Sequence, residues 1–289
     1  MKKKILIIGA SGLIGNAIFN QLNRKLNYSV YGTIKRKKKK KFFGQYSDKI
    51  FVNVKIENEN QIIKIIEKIK PSIVINCAAI VKKYIDLYTA KKIFEINSKF
   101  PKHLEYLTLK YKFKLIQISS DCVFDGLKGN YSENDMPIPV DVYGLSKYLG
   151  ETYSTNCITL RTSVIGPELN KSQGLFEWFM KQKGTIHGYK NFIFSGLTSF
   201  ELANVIVNNI LKLIKTNGVI HISSKSIDKY TLLKKMQKIF NKYDVNIKLS
   251  KSVKINRSLV SKFQKRNNIK IPSWNKMLLE MKDKINENI

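Results

Sequence analysis

The 289-residue chain carries 52 lysine and arginine residues against 21 acidic ones, a formal net charge of +31, with 43% of its residues hydrophobic. That length suits one large α/β domain with a smaller appended one, while three cysteines, Cys77, Cys122 and Cys157, lack the even count of a disulfide framework, and no Cys/His cluster has zinc-ligand spacing. The charge would ordinarily favour nucleic acid, but only five of the 52 basic residues are arginine and the dense run 35–41 has no interleaved aromatic, so it reads as compositional bias and a solvated loop, with no nucleic-acid partner and no metal expected.

Residues 4–8 form a short apolar run closed by glycine, the mark of a strand buried on both faces, and 13–26 then carry Leu13, Ala17, Ile18 and Leu22 at helical spacing. The opening apolar run is too short for a secretory signal or a membrane span, so a cytoplasmic protein with no membrane partner is expected. Between strand and helix stands Gly9-Ala10-Ser11-Gly12-Leu13-Ile14-Gly15. Glycines there allow a tight turn and close backbone approach to a pyrophosphate, and the helix N-terminus offers N–H groups and a positive dipole end. Gly9, Ser11, Gly12, Leu13, Ile14 and Gly15 are therefore candidate cofactor contacts. The second strand, 29–34, ends without the acid that would accept from the ribose of NAD; Thr33, Lys35 and Arg36 stand there instead and could accommodate a 2′-phosphate, so NADP(H) is expected in preference to NAD(H).

Further strands are expected at 50–54, 73–76, 114–119 and 158–160, with helices at 59–69, 86–98, 101–111 and 143–153. Strand and helix alternating in this way imply a Rossmann-type doubly wound parallel sheet, whose ligands bind beyond the carboxyl ends of the strands. Past residue 162 the alternation weakens: helices are expected at 174–183, 199–214 and 229–242 and a strand at 219–222. The expected division is a cofactor-binding domain, 1–165, and a smaller α/β substrate-binding region, 166–289, whose strands could rejoin the sheet. Trp178, spaced with Leu175 and Phe179, reads as core, and His103, His187 and His221 read as surface or satisfied core.

Tyr143 and Lys147 lie four apart, on one helical face, so phenol and ammonium can converge; the charge favours the phenolate and makes the phenol a usable proton donor. Such a pair alone usually means a solvated helix face. Its weight comes from its place after the glycine turn and after Ser119-Ser120-Asp121, which ends the apolar run of the fifth strand.

Together with Asn76-Cys77-Ala78-Ala79, Asn97, the stretch Ser119-Ser120-Asp121-Cys122-Val123-Phe124-Asp125-Gly126, Tyr131-Ser132-Glu133-Asn134-Asp135, Gly150-Glu151 and Arg161-Thr162-Ser163, these motifs resemble the extended short-chain dehydrogenase/reductases, most closely the dTDP-4-dehydrorhamnose reductase group, over roughly residues 5–166. The resemblance implies an NAD(P)H-dependent reductase of a nucleotide-linked 4-keto-6-deoxy sugar, serving surface polysaccharide precursor synthesis. It makes Ser120, Tyr143 and Lys147 the catalytic residues: Tyr143 protonates the carbonyl oxygen, Ser120 hydrogen-bonds it, and Lys147 binds ribose and tunes the phenol. Tyr143, Lys147, Cys77, Ala78, Ala79, Ile80 and Asn97 would also contact the cofactor, and Asp121, Val123, Phe124 and Ser163 the substrate. Dehydratases of the superfamily carry Asp-Glu after the catalytic hydroxyl residue; Asp121-Cys122 in that place disfavours dehydration. Two other readings stand beside this one: an epimerase or epimerase-reductase using the same three residues, and a non-catalytic nucleotide-binding regulatory subunit. The expected partners are the nucleotide sugar and, in a homodimer, a second copy of the chain.

Overall fold

A computed structural model describes residues 2–169 and 174–287. The apolar runs form strands β1 (Lys3–Ile8), β2 (Tyr28–Thr33), β3 (Ile50–Phe51), β4 (Ile73–Asn76), β5 (Lys114–Ile118) and β6 (Cys157–Arg161). Connecting them are helices α1 (Leu13–Asn23), α2 (Glu59–Ile69), α3 (Ala90–Phe94), α4 (Phe100–Tyr111) and α5 (Val142–Leu149). The strands stand in the order β6-β5-β4-β1-β2-β3, with β1 parallel to both β2 and β4. From β1 the chain winds one way through β2 and β3, then the other way from β4 to β6. The reversal therefore falls between β1 and β4, where Ile8 pairs with Asn76, and the crevice of a doubly wound sheet opens at that point.

Alternate residues of each strand face opposite sides of the sheet. Leu6 and Ile8 of β1, Val74 of β4 and Leu115 of β5 turn to the side covered by Ile62, Ile65, Ile66 and Ile69 of α2 and by Phe100, Leu104 and Leu107 of α4. Helix α2 begins where Asn58 accepts from the backbone N–H of Gln61 and ends where Lys70 turns left-handed, φ 51°.

The single helix expected over 86–98 is broken instead into a 3₁₀ turn (Lys82–Leu87), α3 capped by Thr89, and a π turn (Glu95–Lys99) running straight into α4. Of the run 35–41, only Lys35 and Arg36 form the expected exposed loop. From Lys37 the chain forms 3₁₀ turns that continue, across a kink at Gly44, to Lys49, fastened by Phe43, whose buried ring meets Phe19 of α1 edge-on at 5.1 Å.

The remaining elements are β7 (Val164–Ile165), α6 (Leu175–Lys181), β8 (Gly184–Tyr189), β9 (Phe192–Phe194), β10 (Leu197–Thr198), α7 (Ser199–Asn208), α8 (Ile210–Ile214), β11 (Gly218–His221), β12 (Ile227–Asp228), α9 (Lys229–Ile239), β13 (Val245–Ser250), β14 (Ile255–Asn256), α10 (Lys262–Arg266) and α11 (Trp274–Asn286). Strand β11 joins the main sheet beside β6, making it seven-stranded, while β7 pairs with β10, β8 with β13, and β9 with both β12 and β14. The helix expected over 199–214 breaks at Asn209. Trp178 is 38% exposed, and Phe176 and Phe179 form the buried face of α6 in its place.

Two compact units interleave along the chain. One comprises Met1–Ser119, Asp141–Leu160 and Ala203–Val219; the other comprises Ser120–Val140, Arg161–Leu202 and Ile220–Ile289. Among the described residues no helix is long and apolar enough to cross a membrane.

Candidate active site

The glycine turn lies in the first unit, at the point where the strand order reverses. Gly9 has φ +79°, a conformation that a side chain resists, and a Cβ there would come within 2.9 Å of the Ala78 nitrogen. A Cβ on Gly15 would stand 2.3 Å from the Gly9 carbonyl oxygen, so the start of α1 can lie against the turn only as glycine. Gly12 caps α1 without a side chain, and no acid occupies the first helical turn. Ser11, Leu13 and Ile14 are half-buried around it and Gly12 is exposed. This is a cradle whose space a Cβ would fill and whose dipole end favours an anion, which fits a dinucleotide pyrophosphate.

At the end of β2, Thr33 is buried and turned inward: its hydroxyl accepts from the Gly9 N–H at 3.3 Å and its carbonyl from Ala10 at 3.0 Å. Lys35 and Arg36 follow it and are exposed. After β4, the Cys77 N–H donates to Ile8 and the Ala78 N–H to the Asn76 side chain; Cys77, Ala78 and Ala79 are half-buried and Ile80 is buried.

Asn97 ties this segment to the helix bearing the tyrosine and lysine. Its Oδ1 accepts from the Ile80 N–H at 2.8 Å, and its Nδ2 donates to the Ile80 carbonyl at 2.9 Å and to the Ser146 hydroxyl at 3.0 Å. Ser146 in turn donates to the Tyr143 carbonyl, and Ser98 donates to the Ser146 carbonyl. The π turn widens the helix by one residue and thereby points Asn97 at both partners; such turns recur where a side chain must be aimed.

Tyr143 and Lys147 stand one turn apart on α5, whose start is capped by Asp141 accepting from Gly144. Tyr143 is half-buried, whereas Lys147 is only 4% exposed and donates to the Ile118 carbonyl at 2.8 Å. Burial pushes its ammonium down to about 8, opposed by the charges of Glu151 and Cys77. Between pH 8 and the ordinary 10.5 the unfolded chain keeps this proton and the folded chain has released it, so stability rises with pH across that window. Relative to Lys147→Met, the parent is expected to gain about 3 kcal/mol over it. Urea unfolding of the two proteins at both ends of the window checks this; parallel curves would show that Lys147 titrates as a solvated lysine.

Ser120, Asp121, Val123, Phe124 and Ser163 belong to the second unit. Ser120 caps a 3₁₀ turn, Asp121–Val123, its hydroxyl accepting from the Cys122 N–H at 3.1 Å and donating to Asp121 Oδ1 at 3.2 Å. Asp121 is buried; burial pushes its carboxyl up, opposed first by the Arg257 charge and then by hydrogen bonds from Ser120, Cys122 and Ser163. Val123 and Phe124 are fully buried, with the Phe124 ring stacked on Tyr131 at 4.2 Å and the Arg161 guanidinium 5.1 Å from its centroid. His221 is buried too, its Nδ1 near the carbonyls of Tyr131 and Val260 and its Nε2 without a hydrogen-bond partner among the described residues.

Four participants have no role assigned by the sequence. Ser98, Ser146 and Gly150 lie within or beside recognised motifs, where a residue read for its neighbours is easily passed over. Arg257 lies in a stretch with no motif, and its one signal is an arginine kept in a lysine-rich chain.

A family model described as the RmlD substrate binding domain matches residues 2–285. The dTDP-4-dehydrorhamnose reductase of Aggregatibacter actinomycetemcomitans is 29% identical over 165 residues, 55% of this chain and 51% of that protein. Methionine adenosyltransferase 2 subunit beta of Bos taurus is 29% identical over 154 residues, 52% of this chain and 42% of that one. The chain thus spans about half the length of the curated relatives it matches, or less. Among solved structures, the dTDP-4-dehydrorhamnose reductase of Bacillus anthracis in complex with NADP superposes with a TM-score of 0.80 at 22% identity, covering 98% of this chain and 100% of that one, and so shares the Rossmann-like fold.

Proposed function

The chain belongs to the RmlD substrate binding domain family, and from that premise we propose that it is an NAD(P)H-dependent reductase of a nucleotide-linked 4-keto-6-deoxy sugar, supplying a surface polysaccharide precursor in the cytoplasm. The observation that carries the reading is the buried Lys147 ammonium one turn from Tyr143, on a helix fastened through Asn97 to the segment after β4. Gly9, Gly12, Gly15 and the 77–80 segment would hold the cofactor. When bound, it supplies the hydride. Tyr143 would deliver a proton to the carbonyl oxygen, and Lys147 would stabilise the phenolate left behind. Ser120 takes the third role, a hydrogen bond to the oxygen as charge builds on it.

NADP(H) is the cofactor proposed, since Lys35 and Arg36 are exposed after β2 where an acid would serve NAD. The double variant Lys35→Ala, Arg36→Ala is expected to raise KM for NADPH about tenfold, the worth of one charge-assisted hydrogen bond, and to leave that for NADH unchanged. Equal effects on both cofactors would remove these residues from the choice.

The proposed assembly is a homodimer, supported by Val142, Leu145 and Leu149, exposed on one face of α5. Sedimentation velocity checks it.

The reading is tested by following NADPH oxidation against dTDP-, UDP-, GDP- and CDP-linked 4-keto-6-deoxy sugars. Turnover on one class names the substrate; tight NADPH binding with no turnover on any would favour a second reading, a non-catalytic subunit. That alternative is supported by the relatives named as a subunit of methionine adenosyltransferase. An epimerase would instead retain its cofactor through purification and interconvert sugars without net oxidation.

A further inference from the structure

Arg257 is one of five arginines among 52 basic residues, yet it is only 4% exposed. Its guanidinium is committed in three directions at once. Nε donates to the Phe124 carbonyl at 2.9 Å, Nη1 reaches the Cys122 sulfur at 3.7 Å, and its charge faces the carboxylates of Asp121 and Asp125. Room for it is made by Gly126 at φ +86°, where a Cβ would come within 3.1 Å of Arg257 Cγ and 2.8 Å of Ile255. A lysine ammonium is a single point of charge on a flexible stem and cannot span these partners together.

Two of those partners, Asp121 and Cys122, are the residues that Ser120 itself bonds. A serine hydroxyl has one proton. Here it points to Asp121 Oδ1, while the oxygen accepts from Cys122. To reach a substrate oxygen that proton must turn away from Asp121, whose charge is offset first by Arg257 and whose backbone N–H donates to the Thr162 carbonyl at 3.2 Å.

We propose that Arg257 is a positioning residue that holds the 120–124 backbone and draws the Asp121 carboxylate to itself, so that the Ser120 proton can turn from Asp121 to the substrate oxygen. The inference rests on the reading of Ser120 as hydrogen-bond donor to the substrate oxygen, so its test includes a readout independent of turnover.

Arg257→Lys and Arg257→Ala are made in the parent and in a Ser120→Ala background, and kcat, KM for NADPH and the rate of iodoacetamide labelling of Cys122, read by mass spectrometry, are measured on the full chain. Arg257→Lys is expected to lower kcat about tenfold with KM for NADPH unchanged, and to do so by less than about twofold where Ser120 is already alanine, because residues acting as one unit are not additive. Cys122 is expected to label about fivefold faster as its cover loosens. An equal loss of kcat in both backgrounds would overturn the proposal, as would labelling of Cys122 at the parental rate in folded Arg257→Lys. Should Arg257→Ala not fold, Arg257→Lys decides alone. If the parent turns over none of the sugars, the reductase reading fails separately, and Cys122 labelling still judges whether Arg257 holds the segment.

Discussion

Replacing Tyr143 by Phe is expected to lower kcat for reduction of the keto sugar about a thousandfold, within the range by which a placed general acid accelerates proton transfer, while NADPH binding stays within about threefold of the parent. The substitution removes one oxygen from a half-buried ring and leaves the cap of α5 and the Lys147 contact with Ile118 untouched. Loss of turnover with binding kept therefore isolates the proton. Stopped-flow oxidation of bound NADPH in the variant, set against fluorescence titration of the cofactor, separates the two quantities. Turnover within about threefold of the parent would show that the proton comes from another group and would withdraw Tyr143 from the chemistry.

The second large effect is steric and falls on Gly150. A Cβ at this residue would lie 1.9 Å from the Asn97 carbonyl oxygen and 3.2 Å from Ser98 Cα, and both obstacles are backbone inside the π turn. Neither can move aside as a side-chain tip would. Gly150→Ala must then separate the end of α5 from the π turn, stretching the contacts of Asn97 and Ser98 with Ser146. The expected cost is about 3 kcal/mol, the upper end for overpacking a filled interior. For a chain of this size that lowers Tm by roughly 6–12 °C. Thermal unfolding followed by circular dichroism measures it, and a variant melting with the parent would mean that α5 docks by other contacts.

Strands β1 and β4 are legible because each holds an unbroken apolar run, 5–8 and 73–75, and β5 and β6 because a single polar residue, Gln117 or Thr159, interrupts theirs, the pattern of a strand covered on both faces. The bounds of α2 coincide with its pattern because Asn58 before it and Pro71 after it are local signals. The helix around 86–98 is illegible in detail because a π turn changes which residues share a face without changing their composition. In the segment Lys37–Lys49 the lysines mask Phe43 and Tyr46, whose rings fasten it to Phe19. Strand β13 alternates Val245 and Ile247 inward, but its third apolar residue, Leu249, is exposed, so the period is too short to register. Within the candidate site, Gly9 to Gly15 and Tyr143 to Lys147 are legible because each is built within a few residues. Arg257 reaches Cys122 across 135 residues of chain, and no local spacing records a contact of that kind.

The π turn also settles a matter of phase. Ile93 ahead of it and Ile96 within it pack with Ile80; beyond it, Phe100, Leu104 and Leu107 pack against the sheet. An ordinary helix advances about 100° per residue, so a continuous stripe can serve only one direction. The inserted residue shifts the stripe between the two halves, letting one uninterrupted rod address two cores. Its length is therefore not free to drift: removing a single residue from Glu95–Lys99 would leave a straighter helix whose two halves could no longer be seated together.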